Sequence, residues 1–234
     1  MKKLSQAIAL AGVMTAAAVP AVQAEVEVSA SAAIANMYLW RGQDLTGASG
    51  APAFSGDLSV SSNGAYAGVW ASSGDSTGGN EYDLYLGYGG EAGDFSYDIS
   101  AWTYIYPSAS EDYISGNGSN ADARSTIFDL ADVIVSVGYA GASFSYYVPV
   151  GAESNDDYSY FTLGYGMGDY SATLGKADDG DEDYTHLDVS YAANDNLSFT
   201  LSKVVAQSAD LDKGEAGQDE DLKVVVSYSL PIEL

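Results

Sequence analysis

His186, the only histidine, stands two residues before Asp188 in Thr185-His186-Leu187-Asp188, and in an extended segment the two side chains share a face. A histidine beside a carboxylate is the general-base half of a serine-type catalytic arrangement. The other half is unmarked: no Gly-x-Ser-x-Gly elbow occurs, and serine is too frequent for one to stand out. The expectation is a protein that is not an enzyme, with His186 and Asp188 lining an interior. Cysteine is absent, which excludes thiolate metal centres and disulfides, and no cofactor is implied. Two acidic stretches, residues 178–183 and Asp210 to Asp221, could attract divalent cations weakly, including those that bridge lipopolysaccharide phosphates. Neither has the Gly and Glu spacing of a calcium loop.

A second group of ionisable residues suggests another chemistry. Asp57, Asp83, Asp98, Asp132 and Asp188 sit among apolar residues on alternating segments, and only Arg41 and Lys223 oppose them there. Carboxylates held in a low-dielectric wall concentrate cations and repel anions. Arg41, Asp57, Asp83, Asp98, Asp132, His186, Asp188 and Lys223 are therefore the predicted pore-lining residues.

The elements that must carry them are strands. In the tail, Leu222, Val224, Val226, Tyr228, Leu230, Ile232 and Leu234 alternate with Lys223, Ser227, Ser229 and Glu233, a period of two with one apolar face. Such a terminal strand is an exposed edge unless it pairs with the first strand and closes a barrel. Twelve strands are predicted, at 26–41, 52–61, 65–72, 81–89, 95–106, 130–139, 142–150, 158–166, 170–176, 183–191, 197–206 and 221–232. Their length suits the ~9–11 residues with which a tilted strand crosses a bilayer. Short and long connections alternate, from the tight Asn63-Gly64 to the long 107–129, as periplasmic turns and extracellular loops do in outer-membrane barrels. The fold class is all-β, a single antiparallel up-and-down transmembrane barrel of about twelve strands.

Leu84, Leu86 and Tyr88, then Phe95, Tyr97 and Ile99, then Val133, Val135 and Val137 are predicted to face lipid. Tyrosine is abundant, 19 residues. Those near strand ends suit aromatic girdles: Tyr66, Tyr88, Tyr139, Tyr165, Tyr170 and Tyr191 beside turns, and Tyr38, Trp40, Trp70, Tyr82, Tyr106 and Tyr158 beside loops. Lys203 falls on the lipid face and implies either snorkelling near the rim or a bulge.

Met1-Lys2-Lys3, the apolar run Ala7 to Val19 and Val22-Gln23-Ala24 read as a signal peptide over residues 1–24, leaving 25–234 as the barrel. That remainder has six basic and 33 acidic residues, 6 − 33 = −27. Such a balance excludes nucleic acid as a partner, because phosphate binding needs Lys and Arg.

Four segments in order, Asn36-Met37-Tyr38-Leu39-Trp40-Arg41-Gly42, Ala65 to Ser72, Glu81 to Tyr88, and Ser96-Tyr97-Asp98 leading to Tyr104-Ile105-Tyr106-Pro107, resemble the successive motifs of the TorF-type porin family, small proteobacterial outer-membrane barrels. Met37 stands where the family pattern has an acid, and the chain ends on Leu234 rather than an aromatic residue. The resemblance implies the outer membrane of a Gram-negative bacterium, contact with lipid and lipopolysaccharide, and passive diffusion of small solutes. Three readings stay open: a cation-preferring porin, a barrel plugged by its own side chains or by the 107–129 loop, and a soluble exported β-protein.

Overall fold

The computed structural model describes residues 26–47, 50–107, 130–150, 158–178, 180, 182–209, 211, 217–232 and 234. Residues 1–25, which hold the predicted signal peptide, most of the 107–129 loop and parts of both acidic stretches lie outside the described residues. The elements are β1 (Glu27–Ala35), β2 (Leu39–Trp40), β3 (Gln43–Asp44), β4 (Ala53–Ser62), β5 (Ala65–Asp75), β6 (Gly79–Ala92) and β7 (Phe95–Ile105). They continue with β8 (Ala131–Tyr139), β9 (Ala142–Val150), β10 (Ser159–Met167), β11 (Tyr170–Asp178), β12 (Asp183–Ala192), β13 (Leu197–Gln207) and β14 (Lys223–Ile232).

Twelve of these close an antiparallel barrel in which each strand pairs with its sequence neighbours and β1 pairs with β14. The tail closes the sheet as its alternation implies: Ala32 lies opposite Leu230 and Ile34 opposite Tyr228. Two of the short connections are two-residue turns, Asn63-Gly64 and Ala140-Gly141, with φ of 52° and 84°, and 50° and 87°. Two successive positive φ angles match the right-handed twist of the paired strands, and glycine takes the second position without steric conflict.

The alternation sorts the faces. Leu86, Ile99, Val135, Leu163, Leu201, Val224 and Leu230 are exposed on the outside, while Asp83, Asp132, His186, Asp188 and Lys223 are buried inside. An apolar belt running round all twelve strands far exceeds the exposed patches that water-soluble monomers carry. Lys203 stays on the outer face, opposite Leu187. The predicted bulge exists beyond it, where Thr185 pairs with Ala206 but His186 with Val204.

One predicted strand is wrong in extent. Residues 26–41 were expected to run as one wall strand, but β1 ends at Ala35 and the chain turns into the barrel. Asn36 makes the departure possible. Its amide donates to the Val224 carbonyl at 2.9 Å and its Oδ1 accepts from the Val226 N–H at 2.6 Å, so the side chain continues the ladder after the main chain leaves it.

The aromatic girdle is also only half as expected. At the end of the barrel bearing the short turns, Tyr88, Tyr139, Tyr165, Tyr170 and Tyr191 face outward, but Tyr66 points inward and donates to Asp98 at 2.8 Å. At the end bearing the long loops, Tyr82 faces outward, whereas Tyr38, Tyr106 and Tyr158 turn inside to bond Glu81 and Arg41. Buried carboxyl and guanidinium groups need partners, and tyrosine supplies a hydroxyl on a long apolar stem.

Candidate functional site: a hairpin seated in the barrel interior

β2 and β3 pair as a hairpin, Leu39 with Asp44 and Trp40 with Gln43. Its turn is Arg41-Gly42, with φ of 47° and 80°. Arginine in the left-handed region is unusual and costs roughly 1–2 kcal/mol, so the surroundings must hold it there. They do so from three sides. Leu39 packs with Ala35 and Val225 in the apolar cluster beneath the loop end of the barrel. The Leu45 carbonyl accepts from the Ser76 N–H at 2.8 Å on the β5–β6 connection. Across the barrel the Tyr184 hydroxyl donates to the Arg41 carbonyl at 3.0 Å.

The Arg41 side chain completes the seat. Nη2 meets Asp132 Oδ2 on β8 at 3.1 Å and Nη1 donates to the Tyr158 hydroxyl at 2.5 Å. The guanidinium carbon lies 4.5 Å from the Trp40 ring centroid, 5.1 Å from Tyr147, 5.1 Å from Tyr158 and 4.4 Å from Tyr160. Aromatic faces carry negative potential and accept a planar, weakly hydrated cation well. Tyr104 donates to the same Asp132 oxygen at 3.1 Å. Arg41 was expected on the barrel wall; it sits instead on the hairpin, inside the wall.

Gly42 lets the turn approach β12. A Cβ there would collide with the His186 ring, and φ is positive as well. Gly93, at φ 68° with nothing within 4 Å of a built Cβ, isolates the backbone part of that penalty. Gly42→Ala is expected to expose the hairpin to amide hydrogen exchange at residues 38–45, whereas Gly93→Ala leaves those amides protected. Equal exchange in the two variants would mean that the His186 contact does not seat the hairpin.

His186 and Asp188 share one face of β12, as their spacing predicts. Nδ1 is 3.1 Å from Asp188 Oδ1 and Nε2 is 2.8 Å from the Tyr160 hydroxyl, a closed chain with His186 1% exposed. The remaining predicted residues do not converge on one point. Asp83 is buried beside Glu81, whose carboxylate accepts from Tyr38 at 2.5 Å and Tyr106 at 2.6 Å. Asp57 and Asp98 lie apart on the β4–β7 wall, bonded by Tyr85 and Tyr66, each at 2.8 Å. Lys223 turns toward its own loop, with Nζ 2.8 Å from the Asp219 carbonyl and 3.3 Å from its carboxylate. The Asp221 N–H and that ammonium hold the Asp219 carboxyl below the usual range.

These contacts divide the interior by depth. Toward the loops it is packed shut around Arg41, Glu81, Asp83, Asp132, Tyr160, His186 and Val204, all buried. Toward the turns the inward positions of β8–β14 become small, polar and half-buried, Ser136, Ser145, Ser190, Ser198 and Ser229, whereas on β4–β7 the rings of Tyr66, Tyr85 and Trp102 pack among Asp57, Ser59 and Asp98. The turn half of the interior is thus serine-rich on one side and aromatic on the other, and the hairpin fills the loop half.

Sequence reasoning missed Glu81, Tyr158 and Tyr160 as well as the hairpin. Glu81 shares a strand face with Asp83, two residues on, and that spacing was a usable signal. No protein of curated function matches this sequence. Residues 19–217 match the model of a family described as bacterial protein of unknown function (Gcw_chp), and the chain belongs to that family.

Proposed function

We propose that this protein is an outer-membrane barrel of a Gram-negative bacterium that conducts small solutes, cations in preference to anions, when the hairpin leaves its seat. The observation carrying this reading is the imbalance of the interior, where the acidic side chains Asp57, Glu81, Asp83, Asp98, Asp132 and Asp188 outnumber Arg41 and Lys223, and Lys223 is bonded to its own loop. Fixed carboxylates behind low-dielectric walls select by charge. The likeness to TorF-type porins, the predicted signal peptide and the apolar belt support the location. A conduit also suits the interior better than a catalyst does, because the His186 nitrogens are both engaged and shielded from solvent.

Reversal potentials in planar bilayers test it. Wild type should conduct weakly and favour potassium over chloride. Replacing residues 38–45 by a short Gly/Ser linker should raise conductance. Asp57→Asn with Asp98→Asn should reduce the cation preference without changing the open time, because both acids lie toward the turns, bonded by Tyr85 and Tyr66 and away from the hairpin. Chloride selectivity, or silence of both wild type and linker variant, would overturn the reading.

The packed loop end favours a second reading, a barrel kept shut. The linker variant separates the two: a permanently structural barrel stays silent even without residues 38–45.

A further inference from the structure

The ring of Trp40, Tyr147, Tyr158 and Tyr160 around a buried carboxylate is a complete recognition site for a planar cation. Three of its rings and Asp132 belong to the barrel wall or its margin; the cation belongs to the hairpin. Remove Arg41, and Asp132, 4% exposed, keeps only the Tyr104 hydroxyl among the contacts described. The wall therefore presents a site whose charge demands an occupant.

Beside the cage, on the β11–β13 side of the loop end, a cavity of about 140 Å³ interrupts the packing. Trp40 and Tyr158 line it, so two cage rings also border it, and Asp178 and Glu182 bring carboxylates to its side, while Asp183, also there, is paired with Lys176 at 2.6 Å. Gln43 lines it too, and its Nε2 is buried with no hydrogen-bond partner among the described residues. This is an acidic antechamber about the size of a small amine-bearing molecule, next to a seat that already holds a guanidinium.

We propose that the cage is a binding site for guanidinium-bearing solutes, occupied in this structure by Arg41 as a tethered stand-in. A solute entering from the antechamber competes with Arg41, and its success unseats the hairpin. Tethering gives Arg41 an effective concentration in the millimolar range or above, so free solute competes only when abundant. A planar fork is specified because Asp132 and the Tyr158 hydroxyl are met by different terminal nitrogens of one guanidinium, a geometry that an ammonium does not reproduce. The inference names the solute class of the transport reading and rests on it for its biological sense, but binding is measurable without conduction.

The test uses Arg41→Asn in the full-length barrel, because asparagine tolerates the positive φ and keeps the turn while emptying the seat. Methylguanidinium is the probe, with equimolar potassium chloride and urea as controls. The temperature at which the detergent-solubilised barrel unfolds, read by gel migration, should rise saturably with millimolar methylguanidinium in Arg41→Asn and stay level in wild type. Adding Asp132→Asn to that variant should abolish the rise. A rise matched by potassium or urea, or one that survives Asp132→Asn, overturns the proposal. Wild type supplies a second measurement that needs no variant to fold: methylguanidinium should accelerate amide exchange at residues 38–45 where potassium chloride does not, and equal exchange under both overturns it. Absence of conductance with binding intact would sink the transport reading alone.

Discussion

Asp132→Ala should destabilise the barrel by about 3–5 kcal/mol, measured by urea unfolding in lipid vesicles, because it strands a buried charge. Arg41 is 8% exposed, its guanidinium cannot shed its proton, and the Asp132 carboxylate is the only anionic partner described for it. The surrounding rings soften the loss without cancelling it. Each cation–π contact is worth about 2 kcal/mol or more when desolvated, but all four already exist in wild type and none is gained on losing Asp132. Arg41→Asn should cost less, about 1–2 kcal/mol. It leaves Asp132 accepting from Tyr104, and it relaxes the left-handed turn. The asymmetry is the diagnostic. In the double variant most of the Asp132→Ala penalty should vanish, because the charge it strands is gone. Equal single penalties with strict additivity would mean that the two side chains do not meet in the folded protein.

How the hairpin escaped the sequence is instructive. Twelve wall strands were legible because each obeys a period of two and the sharp turns carry residues that tolerate positive φ, as at Asn63-Gly64. Residues 36–44 offer no such break: Tyr38, Leu39 and Trp40 favour strands as strongly as the wall does, so the pattern of β1 reads straight through Ala35. What distinguishes the segment is three-dimensional. Asn36 mimics a peptide group toward β14, and Arg41, an unusual residue for a two-residue turn, is tolerated because partners lie more than ninety residues away on β8 and beyond. The same limit applies to the carboxylates. Strand parity placed Asp57, Asp83, Asp98, Asp132 and Asp188 inside, yet it assigned no depth, and depth separates the sealed Asp132 from the half-open Asp57. Loop-end aromatics were assigned to a girdle for a related reason: proximity to a strand end does not say which side of the wall a ring takes.

Leu86→Arg offers the largest contrast between a membrane protein and a soluble one. Leu86 lies near the middle of β6, 62% exposed on the outer face, opposite Ala67 and Ala101. For a barrel in water, putting a charge at so exposed a position changes stability by no more than about 0.5 kcal/mol. For a barrel in lipid, an arginine at the bilayer midplane costs about 2–4 kcal/mol. Lys203→Leu serves as the reciprocal control. Lys203 also points outward, opposite Leu187, but it lies nearer the loop end than the turn end of β13, and its long stem can carry the ammonium toward the polar interface. Its replacement should therefore alter stability by about 1 kcal/mol or less. Urea unfolding of both variants in vesicles reads the two effects on one scale. A neutral Leu86→Arg would place the apolar belt in water and remove the membrane from every functional argument above. A loss of several kcal/mol at Leu86 with near silence at Lys203 would instead map the hydrocarbon slab onto the strands, since only a medium whose polarity changes along the barrel axis treats two outward-facing cations so differently.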